Sequence, residues 1–177
     1  MAVTNKTVAL FFLAAVPAMF LFFAVMLTLI PKHADGLSQF MPLLYMPVVF
    51  FWAVHYPGYM PHWLVFVAGL LVDAISGQPL GISSLLMMGM LVAVHFQYKT
   101  MHKEGFVLKW AVFTMLLGGI TLVQWIMMSV YHQQFLNPQN GLLQWFMTVA
   151  LYPALHQLFD AAHQAVQNRR VQLLHSR

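Results

Sequence analysis

Asp73 is the residue best placed to do chemistry, because it is the sole formally charged side chain between Asp35 and Lys99 and sits inside Leu70-Leu71-Val72-Asp73-Ala74-Ile75. A carboxylate in such a setting costs several kcal/mol unless it is paired, hydrated or protonated, so an acid within an apolar segment is a functional candidate. A structural reading stands beside it. Asp73 falls close to the end of its apolar run and could accept hydrogen bonds from broken backbone at Ser76–Gly81. That break is itself legible. Gly77 and Gly81 have the spacing of a close-packing pair, but Pro79 between them lacks a backbone donor and clashes with a continuing helix. The segment is therefore a turn whose glycines supply unusual backbone angles, with Ser83 or Ser84 as candidate caps for the helix that follows.

Other chemistry has less to stand on. Nine histidines invite a metal reading, and His156, Asp160 and His163 would share one helical face at i, i+4, i+7. They lie where the last apolar run gives way to Arg169 and Arg170, where polar residues are expected in any case, so no metal and no cofactor is expected. Cysteine is absent, which removes disulfides, thiolate ligands and cysteine nucleophiles. Gly81-Ile82-Ser83-Ser84 lacks the second glycine of a nucleophile elbow. An intramembrane enzyme would need a second ionisable group within reach of Asp73 or Ser83. The Gly118-Gly119 pair is a separate packing signal.

The elements that must position Asp73 are apolar. The 177 residues are 61% hydrophobic and 7% charged, against roughly 45–50% and about 25% in soluble domains. Six apolar segments follow one another at about residues 8–30, 40–56, 63–76, 82–98, 110–131 and 142–160, with a basic tail over 161–177. The pattern predicts one all-α, polytopic membrane domain. The third run is short: about 21 Å of helix at 1.5 Å per residue. It either crosses a thinned or tilted region or is a half-helix that ends at the Gly77–Gly81 break.

Charge sets the orientation. With six crossings, Lys6, the Lys99–Lys109 loop and the arginine tail share a side, which makes both termini cytoplasmic. The net charge of +4 comes from residues flanking apolar runs, where they serve as topology signals and lipid-headgroup contacts and not as a nucleic-acid surface. The tail most simply continues the last helix, with Arg169 and Arg170 meeting lipid or a cytoplasmic partner.

The segment Gly69-Leu70-Leu71-Val72-Asp73-Ala74-Ile75-Ser76-Gly77-Gln78-Pro79-Leu80-Gly81 resembles the signature of the rod shape-determining MreD family. Gly69, Leu70, Asp73, Gly77, Leu80 and Gly81 match its pattern. The resemblance implies a non-catalytic scaffold of the bacterial inner membrane that works in lateral peptidoglycan synthesis and rod-shape maintenance. It implies MreC as partner and, directly or through MreC, MreB, RodA and the cognate transpeptidase. It also implies a fold similar to the substrate-binding subunit of energy-coupling-factor transporters, so a solute-binding subunit with Asp73 lining a pocket stands as the alternative. Gly69, Asp73, Gly77, Pro79, Leu80 and Gly81 are then expected to fix the local fold or to form a partner contact.

Overall fold

The computed structural model describes residues 15–27, 42–55, 60–101 and 104–175, with side chains beyond Asp160 described only at Ala161 and Gln164. Among the described residues there are six helices and no strand: α1 Ala15–Leu27, α2 Tyr45–His55, α3 His62–Ser76, α4 Ile82–Met101, α5 Phe106–His132 and α6 Gln139–His175. One of these, α5, is by itself long and apolar enough to cross a bilayer. The expected runs at 8–14 and 28–30 fall outside the described residues, as does the loop with Lys32 and Asp35.

Proline explains why α2 is shorter than its apolar run. Pro47 has no N–H, and its ring would collide with the carbonyl four residues earlier, so the helix starts at Tyr45 and leaves Pro47 in the first turn, where no donor is needed. Leu43 in the lead-in is buried, and its backbone is satisfied across the fold: the Leu43 N–H donates to Thr148 Oγ1 of α6 at 2.9 Å. All of α2 except His55 is buried. A helix that is apolar all round belongs at the centre, and α2 packs there against α4, α5 and α6. Its rings knit the bundle: Phe50 meets Phe113 of α5 and Tyr152 of α6, and Trp52 meets Phe20 of α1.

The start of α5 differs from the sequence expectation, whereas α6 runs on into the tail as expected. Helix α5 begins at Phe106, so Lys109 is helical and the loop before it is shorter than Lys99–Lys109 suggests. Three consecutive apolar residues, Phe106-Val107-Leu108, precede that lysine and extend the helix past it. Helix α6 continues without interruption from Gln139 to His175, through Pro153. The proline frees the carbonyl of Val149, and the Trp110 indole N–H donates to it at 3.3 Å. Gly118 faces α6, where a Cβ would make an ordinary contact, 3.4 Å from the Trp145 ring nitrogen.

Candidate functional site

The α3–α4 hairpin builds the site. Helix α3 stops at Ser76 because Gly77 enters the left-handed region at φ 66°, a conformation that glycine adopts without a Cβ penalty. The N–H groups of Gly77 and Gln78 both turn back to the carbonyl of Asp73. The chain then passes Pro79 and Leu80, and Gly81 takes φ 105°. No L side chain is comfortable at that angle. A Cβ at either glycine would meet nothing within 4 Å, so these positions are glycine for conformation and not for space.

The carboxylate of Asp73 closes the other end of the turn. Gly81 N–H donates to Oδ2 at 2.7 Å, and Ser83 N–H donates to Oδ1 at 3.0 Å and Oδ2 at 3.2 Å. Those are two of the N–H groups that a helix start leaves without intrahelical partners, and the N-terminus of α4 adds its favourable dipole. Asp73 thus caps two helices, with its backbone carbonyl at the end of α3 and its side chain at the start of α4. Its side chain is fully enclosed, at 0% exposure. The cap expected from Ser83 or Ser84 comes from Asp73 instead: the Ser83 hydroxyl has no hydrogen-bond partner among the described residues, and Ser84 Oγ donates to the Phe66 carbonyl of α3 at 3.1 Å.

Gly69 is the packing glycine. A Cβ there would lie 2.4 Å from Ser84 Cα and 2.6 Å from Ser84 N, a collision with backbone that no rotamer relieves. The Gly69–Ser84 contact and the approach of Tyr45 on α2 to Ser83 are absent from the sequence reading. The first follows from how the two helices cross: Gly69 lies seven residues before the end of α3 and Ser84 only two past the start of α4, so sequence spacing gave no signal for it. Tyr45 had none either, because it reaches the site from a separate helix.

The remaining candidates separate. Pro79 is half-buried, whereas Leu80 points outward at 72% exposure. His156 and Asp160 come together, Nδ1 to Oδ2 2.9 Å, inside a shell of Phe51, Phe106 and Tyr152 rings. The side chain of His163 lies outside the described residues, and no group of three metal-ligating side chains is found among those described. Arg169 and Arg170 belong to α6, and their side chains too lie outside the described residues.

No curated protein and no solved structure matches the chain. The family model of the rod shape-determining protein MreD matches residues 8–162, most of the 177 and all of the hairpin that Asp73 closes. The chain therefore belongs to the MreD family, membrane proteins that determine rod shape and are not known as enzymes.

Proposed function

We propose that this protein is a multi-pass scaffold of the bacterial inner membrane, with both termini cytoplasmic. It binds MreC and supports lateral peptidoglycan synthesis together with MreB, RodA and its transpeptidase. The observation that carries this reading is where the polarity lies. Asp73, the acid within the apolar core, has no surface that a water-sized molecule can touch, and its oxygens are engaged by the backbone of α4. The outside is apolar instead. Only Phe113 and Leu117 of α5 are buried, while Met115, Leu122, Val123, Ile126 and Val130 face outward. A surface of that kind suits lipid and neighbouring membrane helices, and such helices associate by packing and a few hydrogen bonds.

The solute-binding alternative requires Asp73 or its turn to line a pocket. Its enclosure weighs against that. The cavities between α4 and α5 and between α5 and α6 are lined mainly by apolar residues such as Leu85, Val112, Leu122 and Leu142. Depletion of the protein followed by microscopy separates the readings. Loss of rod shape, with loss of MreC from the purified complex, is expected. Normal rods with impaired vitamin uptake would replace the scaffold by the transporter.

A further inference from the structure

Helix α6 is longer than a membrane needs. From Gln139 to Phe159 it has 21 residues without a formal charge, about 31 Å at 1.5 Å per residue, which matches a hydrocarbon core of roughly 30 Å. Asp160 follows, and the helix then continues from Ala161 to His175. That extension is about 22 Å long, whereas the headgroup layer on one side is only about 5–8 Å thick. Pro153, seven residues before Asp160, lies within the uncharged stretch, and its kink of order 20–30° cannot lay the extension flat. The backbone at Arg169 is thus about 14 Å past Asp160, and that at Leu173 about 20 Å past it.

The extension is basic and carries no acid: Arg169, Arg170 and Arg177 are the only formal charges between Ala161 and Arg177. Ala162, Val166, Arg169 and Leu173 follow one another at spacings of 3 and 4, so the positions fall on one face of the helix, in line with Phe159, which is itself buried in the bundle. Lipid does not account for this face, because Leu173 is held too far out to reach acyl chains. A parallel pair of copies would stack Arg169 on Arg169 within its seam, a like-charge contact that opposes pairing. A groove on an acidic protein satisfies both features, taking the apolar positions into the groove and pairing Arg169 within it and Arg170 beside it with carboxylates.

We propose that residues 161–175 form a projecting helical post that docks on an acidic soluble protein on the cytoplasmic side. This rests on the reading that α6 crosses the bilayer with its C-terminal end in the cytoplasm, and a fluorescent reporter fused after Arg177 tests that premise separately. A dark, exported reporter would sink the topology itself.

With the topology established, the full-length protein is placed in phosphatidylcholine vesicles with and without phosphatidylglycerol, and a fluorophore at position 174 is exposed to a headgroup-borne quencher. No quenching in either vesicle is expected. Quenching that appears with phosphatidylglycerol would overturn the proposal in favour of a lipid-bound tail. In cells, a photocrosslinker at position 173 should capture a soluble protein through a mapped acidic segment. Yield should fall about tenfold in the Arg169→Glu, Arg170→Glu double variant and return when that segment is changed to lysine. Crosslinks only to a second copy of the chain, or none, or a yield indifferent to the charge reversal, would overturn it.

Discussion

Asp73 presents a buried carboxyl group with no cationic side chain among its described hydrogen-bond partners, and the compensation comes from backbone. Two N–H groups and the start of a helix surround its carboxylate, an arrangement that substitutes fixed dipoles for water. Removing the side chain leaves Gly81 and Ser83 N–H groups unsatisfied in an enclosed site. Asp73→Ala should therefore lower the stability of the purified protein by about 2–4 kcal/mol. Asp73→Asn, which keeps one acceptor oxygen and loses the charge, should lose roughly half as much. Denaturation midpoints in detergent decide this, and equal midpoints for wild type and Asp73→Ala would remove the capping role. The glycines should rank by mechanism. Gly77→Ala strains only the left-handed region, about 1 kcal/mol. Gly81→Ala, at φ 105°, should cost more. Gly69→Ala forces α3 away from Ser84 and should cost most, because backbone cannot step aside. A Gly69→Ala protein as stable as Gly77→Ala would show that the two helices have slack at their crossing.

The helices differ in how clearly the sequence announced them. Helix α3 coincides with the third apolar run to within a residue, since Pro61 precedes it and Gly77 ends it, both local signals. The continuity of α6 into the tail is likewise foreseeable from its unbroken lack of glycine after Gly141. The ends of α2 and α5 were not. Pro47 within an apolar run reads equally well as a kink or as a first turn, and Lys109 looks like a loop residue until Phe106-Val107-Leu108 are seen to be helical. The role of Asp73 was half legible: its nearness to a glycine-rich break suggested backbone donors, but which N–H groups it would reach depended on the angle between two helices. Nor could sequence say which face of α5 turns inward, because its apolar residues are distributed all round the helix. Its outward face yields an expectation. Met115→Lys, at 82% exposure near the middle of α5, should reduce accumulation in the membrane fraction severalfold, since a charge at mid-depth costs about 2.5–3.5 kcal/mol. Val107→Lys, one residue into the helix, should be tolerated. Equal accumulation of both variants would mean that α5 is not lipid-facing along its length.

At the scale of the whole molecule, the short helices become intelligible as parts of a bundle. Helix α2 is about 16 Å long, yet Leu43 just before it is buried and its N–H is bonded to Thr148, the circumstance in which non-helical chain is tolerated at membrane depth. Helices α3 and α4 are joined by the Asp73 turn into one hairpin that behaves as a unit. If six segments cross, the turn at Leu80 and the loop at Phe135 must open on one side and the connection at Glu104 on the other. Leu80, Phe135 and Glu104 are all exposed, and the protein contains no cysteine, so single cysteines introduced at these positions report without background. In intact cells a membrane-impermeant maleimide able to cross the outer membrane should label position 80 and position 135, and should reach position 104 only after permeabilisation. Labelling of position 104 in intact cells, with position 80 unlabelled, would place one crossing fewer before position 104. That result would turn α3 into a half-helix followed by re-entrant chain, and Asp73 would then hold together a turn inside the bilayer instead of the link between two spanning helices.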